Sequence, residues 1–186
     1  MLARILGRQK LLFGLATAAL ATGGLVAAAG SSSAAPAGAA YTADSSTEDS
    51  VPAAIRVPPG NRLIAAMDAQ GVQVYQCSSG AWTFLEPVAE LGDPTPAVIH
   101  FRGPSWESIR DGSLVEAATV ASSPVPGSIA QLLLQATRTR GDGIFGDVTY
   151  VQRLDTAGGA APTTACKNGQ TQGVPYTAEY RFYVKG

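Results

Sequence analysis

Hydrophobic and polar residues alternate with a period of two near the C-terminus of the chain, in the segment "VPYTAEYRFYVK". A strand with one buried face shows this alternation, because successive side chains point to opposite faces of a sheet. We therefore predict a strand here, with one face formed by Tyr176, Ala178, Tyr180, Phe182 and Val184 and the other by Thr177, Glu179, Arg181 and Tyr183.

Shorter segments of the same kind occur upstream, separated by turns that contain glycine and proline. They are "GVQVYQC", "AWTFLEP", "PAVIHFRGP", "GSLVEAATVASS" and "DVTYVQRLDT". Connections of hairpin length with glycine favour antiparallel pairing. The segment "GSIAQLLLQATRTRG" has a helical composition but also threonines that favour a strand. There we predict a short turn of helix from Ser128 to Gln131, followed by a strand to Arg140.

These segments define an all-β fold class. We predict an antiparallel sandwich or a closed barrel of about seven or eight short strands, with at most one short helix. No internal repeat of fixed period is visible, which disfavours a solenoid or a propeller. The motif "GDGIFG" fits a G-x-G-x-x-G pattern, but a predicted strand follows it instead of a helix, so we interpret it as a hairpin turn.

The N-terminus has the composition of an export signal. Three basic residues within the first ten precede a weakly hydrophobic run rich in alanine and glycine, and small residues ending at Ala39 match a cleavage pattern. We predict a signal peptide over residues 1–39, an unpacked polar leader over residues 40–54 and a single β domain over residues 55–186. The predicted product is secreted or extracellular and has no membrane span after signal cleavage.

Charge limits the partners of the exported chain. All 14 acidic residues follow residue 39, whereas three of the 13 basic residues precede it, so the product carries a formal charge of −4. Binding of nucleic acid requires a basic face, and we therefore predict no nucleic-acid partner.

Cys77 and Cys166 are the only cysteines of the chain. An even pair in an exported protein is most simply one disulfide, and we predict that these two residues form it. Two buried free thiols are the alternative.

His100 is the only histidine. A metal centre that needs two imidazoles is thereby excluded, and we predict neither a metal nor a cofactor. An ordinary strand position is favoured for His100 over a catalytic one, because nothing in the sequence positions a partner for it.

Trp106 and Glu107 follow "HFRGP" in a predicted loop. An indole face beside a carboxylate is a common way to hold a sugar or a cation, so this pair is the best binding candidate. The favoured interpretation of Trp106 is nevertheless a loop tryptophan that folds back and plugs one end of the sandwich or barrel.

Arg138 and Arg140 share a face of their predicted strand, and Arg153 is expected on the neighbouring strand. Three guanidiniums on one face can bind an anion, although exposed pairing with Asp142, Asp155 or Glu179 is the favoured interpretation. The candidate ligand-binding residues are therefore His100, Trp106, Glu107 and Arg153.

Five segments recur in an order that characterises a known family: "GVQVYQC", "AWTFLEP", "GPSWESIRDGSLV", "LLLQATRTRGDGIFGDVTYVQRLDTAGGAAPTTAC" and "VPYTAEYRFY". From Arg62 to Tyr183 the chain resembles the secreted domain-of-unknown-function family 3455. The resemblance implies export and one compact domain. It implies no activity and supplies no catalytic residue.

Two classes of function remain open. The first is an exported, disulfide-braced β domain that acts as a binding or cell-envelope module, with a carbohydrate or small molecule as the expected ligand and no catalytic residue assigned. The alternative is a secreted, hydrolase-like enzyme with a carboxylate/arginine site at a loop end, where Glu107 and Asp111 are the nearest carboxylates to consider.

Overall fold

The structure is a computed structural model, and it describes residues 50–92 and 97–186. The predicted signal peptide, residues 1–39, lies outside the described residues, as does the predicted leader, residues 40–54, apart from its end. At that end, Val51 is 4 % exposed and belongs to a small apolar cluster.

Eight strands make up the regular structure of the described residues. They are β1 (Asn61–Ser78), β2 (Ala81–Leu91), β3 (Val98–Phe101), β4 (Ser105–Ser108), β5 (Leu114–Ser123), β6 (Gln131–Arg140), β7 (Val148–Gly158) and β8 (Thr171–Lys185). The only helical segment within residues 50–92 and 97–186 is one 3-10 turn, Ala53–Ile55.

The strands form a closed antiparallel barrel in which strand order equals chain order. Each strand pairs with its neighbour in the chain, and β8 returns to pair with β1 over a register that runs from Asn61↔Lys185 to Gln76↔Thr171. The predicted all-β class is confirmed, and of the two architectures that the sequence left open, the closed barrel is the one observed. The "GDGIFG" motif connects β6 to β7 as a hairpin, as predicted.

The alternation in β8 determines which side chains fill the barrel. The five residues of the predicted buried face are at most 7 % exposed, and they are Tyr176, Ala178, Tyr180, Phe182 and Val184. Burial of this face is what a period-two pattern predicts for a sheet that closes on itself.

Residues 51–57 cover part of the outer surface of the barrel. Val51 and Ile55 pack against Leu133 and Leu154, which point outward from β6 and β7. The side-chain amide of Gln152 donates to the Ile55 carbonyl at 2.7 Å, and Tyr183 donates its hydroxyl proton to the Gln152 carbonyl oxygen at 2.7 Å. This cover explains why Tyr183, on the predicted outer face of β8, is also buried.

The predicted turn of helix from Ser128 to Gln131 is wrong. Ser128 does not cap a helix; its hydroxyl donates to the Gly158 carbonyl at 3.0 Å. The backbone N–H of Ile129 bonds the same carbonyl at 2.9 Å. Because both donors are used by the end of β7, the segment runs extended into β6, which begins at Gln131.

The predicted disulfide is confirmed. Cys77 and Cys166 are bonded, their Cα atoms lie 5.9 Å apart, and 89 positions separate them in the chain. The bridge joins the end of β1 to the β7–β8 connection. Backbone bonds from Cys77 N to Gln170 O and from Gly169 N to Cys77 O, at 2.8 and 3.0 Å, reinforce the same junction.

The opposite end of the barrel is filled by apolar side chains. Phe145, from the β6–β7 connection, is fully buried and packs against Phe182 with a ring separation of 4.6 Å. Asp111 holds this connection by accepting the backbone N–H of Ile144 at 3.1 Å. A Cβ at Gly143 would lie 2.3 Å from the Asp111 carboxyl carbon, so this close approach requires glycine.

Candidate ligand-binding cavity

A cavity of about 490 Å³ opens at the barrel end that carries the β3–β4 and β5–β6 connections. Its inner wall contains polar side chains that point into the barrel from β1, β3 and β7, and its rim is largely apolar. The wall includes Gln73, His100 and Arg153, and the rim includes Phe84, Ile129 and Leu132.

His100 lies on the inward face of β3 and is 2 % exposed. Its ring stacks on Trp106 at 4.4 Å with an interplanar angle of 4°, and Tyr180 packs edge-on at 5.1 Å. Burial lowers the pKa of His100 to about 3, against a smaller opposing effect of its hydrogen bond with the Ser105 backbone. The imidazole is therefore neutral at ordinary pH.

The tautomer of His100 follows from its hydrogen bond. Nδ1 lies 2.8 Å from the carbonyl oxygen of Ser105. A carbonyl only accepts, so Nδ1 carries the proton and donates it. Nε2 is then left as a hydrogen-bond acceptor on a residue that lines the cavity.

Arg153 enters the same cavity from β7, opposite Leu132 of β6. Its Nε and Nη2 atoms both donate to the Ala130 carbonyl, at 3.0 and 2.8 Å, and this fork holds the guanidinium in place. Within residues 50–92 and 97–186, the ion pairs join other arginines to carboxylates, and none includes Arg153.

Gln73 is a buried polar residue on the inward face of β1, 2 % exposed. Its side-chain nitrogen has no hydrogen-bond partner among the described residues. The amide is near enough to Tyr176 to lower the pKa of that hydroxyl slightly, against a larger increase caused by burial, but the two do not meet in hydrogen-bond geometry. A buried donor without a partner is costly, so this nitrogen is a candidate to bind a ligand acceptor.

The β7–β8 connection crosses the barrel next to Gln73. The Tyr75 hydroxyl donates to the Gly159 carbonyl at 2.7 Å. Gly159 has a φ of +75°, and a Cβ there would lie 2.9 to 3.1 Å from Tyr176, Ile129 and Gln73. Only glycine fits this position, and the connection thereby packs closely against the lining residues Gln73 and Ile129.

The structure separates the predicted Trp106–Glu107 pair. Both residues lie on strand β4, not in a loop, and successive residues on a strand face opposite ways. Trp106 is fully buried behind His100, with its indole nitrogen unpartnered among the described residues. Glu107 points outward and pairs with Arg140 at 2.6 Å.

The three arginines expected on one face are also separated. Arg138 pairs with Glu116 and Arg140 with Glu107 on the outside, whereas Arg153 points inward. The predicted partners Asp142, Asp155 and Glu179 are not used by them. Of the four candidate ligand-binding residues, His100 and Arg153 thus share one cavity, Trp106 supports His100, and Glu107 lies elsewhere.

The carboxylates named for an enzymatic site do not reach this cavity. Asp111 accepts hydrogen bonds from the Ser113 backbone and hydroxyl at 2.9 and 2.6 Å, and from Ile144 at 3.1 Å. These bonds, led by the Ser113 hydroxyl, lower its pKa to about 2. Asp111 therefore holds the connection that carries Phe145.

Gln73 and Tyr75 were not among the residues selected from the sequence. The signal for them existed, because the alternation in β1 places both on the same side as Cys77. A glutamine is an unusual residue on a strand face that also carries a buried cysteine. This polar residue therefore indicated the inner wall of the cavity.

A larger groove of about 770 Å³ lies on the outer face of the sheet. Four carboxylates line it, from Asp68, Glu90, Asp155 and Glu179. None of these side chains is buried, so water can satisfy them, and no orphaned buried group points into the groove. Residues 50–92 and 97–186 contain no group of three or more His, Cys, Asp or Glu placed to hold a metal ion.

The fold and cavity define a class of protein: a small up-and-down antiparallel barrel, packed at one end and open to a polar-walled cavity at the other. Residues 94–184 match the family described as "Protein of unknown function (DUF3455)". The match covers slightly less than half of the chain and includes β3 to β8. No curated protein and no solved structure matches the chain significantly. In the described part of the chain, no helix is long and apolar enough to cross a membrane.

Proposed function

We propose that this domain is an exported module that binds a small molecule in the cavity of the barrel. The single observation that carries the proposal is a cavity that reaches the barrel interior. On its wall, a buried amide and a guanidinium find, among the described residues, no hydrogen-bond partner and no carboxylate, respectively. Eight-stranded barrels have an interior just wide enough to hold one small ligand, and a volume of about 490 Å³ suits such a molecule.

Export is supported by two features of the sequence. The first 39 residues resemble a cleavable signal, and a disulfide persists in oxidising compartments. Mass spectrometry of the protein recovered from outside the producing cell tests this part. A product that begins at Ala40 supports it, and a product that retains residues 1–39 contradicts it.

Binding in the cavity is tested by a pair of matched variants on β5. Thr119 lines the cavity, whereas Val120, its neighbour, is 53 % exposed and is not among the lining residues. Thr119→Trp fills the mouth with an indole, and Val120→Trp adds the same group outside. Wild type and variants are titrated by calorimetry with small acids, alcohols, amides and monosaccharides.

We expect Thr119→Trp to lose the heat of binding and Val120→Trp to retain it. A ligand that binds both variants as tightly as the wild type occupies another site, and that result contradicts the proposal. So does failure of every compound of the panel to bind wild type at concentrations of about 1 mM.

A further inference from the structure

We infer that the ligand is a small organic anion, whose carboxylate or phosphate oxygens accept hydrogen bonds from Arg153 and Gln73 while its apolar part contacts the rim at Phe84, Ile129 and Leu132. This inference rests on the proposed function and names the ligand class for the same cavity.

The wall of the cavity has an excess of positive charge. Arg153 and Arg102 are its cationic residues, and Glu86, its one carboxylate among the described lining residues, already pairs with Arg102 at 3.2 Å. Arg153 therefore keeps an uncompensated charge inside the barrel. Its field is felt by its neighbours, since it acts to lower the pKa of His100, Tyr75, Tyr176 and Tyr180.

The guanidinium is oriented in advance. Two of its N–H groups are fixed on the Ala130 carbonyl, and the guanidinium also meets the Tyr180 hydroxyl, which acts to lower the pKa of that hydroxyl against a larger increase caused by burial. The N–H groups that remain on the planar fork can donate to a further acceptor. Carboxylate and phosphate oxygens match the spacing of such a fork, and the bonds are charge-assisted. A pre-oriented donor loses little freedom when a ligand binds.

The Gln73 amide supplies a second donor. Its nitrogen is buried in the cavity wall and lacks a partner in the described structure. An anionic oxygen that accepts from both Gln73 and Arg153 would satisfy a group that residues 50–92 and 97–186 leave unpaired. A neutral sugar could take hydrogen bonds from both donors but would leave the charge of Arg153 uncompensated.

The rim favours a ligand with an apolar part. Phe84 is 56 % exposed, and its ring stands at the mouth edge-on to Tyr75 at 5.9 Å. Ile129 and Leu132 line the mouth as well and are only partly buried. An aromatic or aliphatic body would cover these side chains while the charged head reaches Arg153.

Two fluorescent probes that differ in charge test the inference. 8-Anilinonaphthalene-1-sulfonate is an aromatic anion, and N-phenyl-1-naphthylamine has the same rings without the sulfonate. Each is titrated into wild type and into Arg153→Gln, Arg153→Lys and Gln73→Glu. Arg138→Gln, on the outer face of β6, is the control for an equal change of net charge. Near-UV circular dichroism checks that each variant is natively packed, because the anionic probe also binds molten states.

We expect Arg153→Gln to weaken binding of the anionic probe by about tenfold or more, the effect of one charge-assisted hydrogen bond. Arg153→Lys should restore part of the affinity, and Arg138→Gln should leave it unchanged. Gln73→Glu should abolish binding of the anion, because it places a carboxylate in the wall of the cavity that also contains Arg153. This variant keeps the test valid if Arg153→Gln does not fold. The neutral probe should respond to none of these changes.

Competition then identifies the head group. 4-Phenylbutyrate and phenyl phosphate should displace the anionic probe, whereas the neutral 4-phenylbutyramide should not. The better of the two anionic competitors indicates whether the head group of the ligand is a carboxylate or a phosphate. Equal binding of both probes, with no effect of Arg153→Gln or Gln73→Glu, overturns the anion inference but leaves the proposed function intact. Binding of either probe that persists in Thr119→Trp contradicts both, as does failure of both probes to bind wild type.

Discussion

At the scale of single residues, His100 shows how a barrel interior changes the chemistry of a side chain. Its imidazole is enclosed by Trp106 and Tyr180 and donates one proton to Ser105. Protonation would place a charge in this enclosure near Arg153, and both burial and that guanidinium oppose it. A histidine in this setting is an acceptor of hydrogen bonds at ordinary pH and does not act as an acid.

The single histidine makes this testable by NMR. We expect the Hε1 resonance of His100 to stay constant between about pH 5 and 8, where a free imidazole titrates. The folded pKa of about 3 lies below the unfolded value, so the unfolded chain takes up the proton first. The contribution of the neutral His100 imidazole to the unfolding free energy is therefore fully present above about pH 6.5 and is lost as the pH falls toward 3.

The variant His100→Phe isolates the effect on stability. The phenyl ring still packs against Trp106 but cannot bind a proton. Between pH 7 and about 4.5, the unfolding free energy of wild type should therefore fall by about 2 kcal/mol more than that of the variant. Urea denaturation at the two pH values measures the difference. Parallel loss in both proteins would mean that His100 is protonated in the folded state.

At the scale of elements, the β6–β7 connection begins well beyond the last paired residues of its two strands. β6 and β7 pair only from Leu132↔Arg153 to Gln135↔Tyr150, and beyond that point the strands part. Phe145 fills the space between them, and Asp111 and Ser113 hold the connection from outside. The closed end of the barrel thus depends on one aromatic ring and the carboxylate that positions its backbone.

Asp111→Asn should therefore destabilise the protein at neutral pH, by about 1 kcal/mol for the weakened hydrogen bonds. The folded pKa of Asp111 is lowered to about 2, so its contribution is present above the unfolded value near 4 and is lost as the pH falls through 2. Thermal unfolding of both proteins from pH 7 to 2 measures this. Asp142→Asn, in the β6–β7 connection itself, is the matched control; an equal effect there would contradict the role of Asp111.

Sequence patterns predicted the positions of the strands better than they predicted which face of each strand points into the barrel. The alternation in β8 gave the inward residues because apolar and polar positions differ clearly there. β4 has only four residues, too few for a period to be visible, and its tryptophan was therefore assigned to a loop. Arg153 was assigned to a solvated face, because a local pattern cannot distinguish a polar wall inside a barrel from a polar surface outside it.

At the scale of the whole molecule, the covalent bridge joins the first strand to the last connection. Closure of a loop of 89 residues restricts the unfolded chain, and in the chain-entropy model this stabilises the fold by about 4 to 5 kcal/mol at most. The double variant Cys77→Ser with Cys166→Ser should lose up to that amount. Denaturation in urea measures the loss, with Ser78→Ala and Ala165→Ser as neighbouring controls; unchanged stability of the double variant would contradict the bridge.

Ring closure also has a consequence for the order in which the protein forms. Among the described strands, β1 is synthesised first, and it finds one of its two partners only in β8, which is synthesised after the other seven. Until the ribosome has completed the C-terminal segment, a nascent chain carries β1 with one edge unpaired, and an unpaired edge invites pairing with other chains. The barrel therefore cannot close until β8 has been synthesised, an order compatible with the proposed export of the unfolded chain across a membrane.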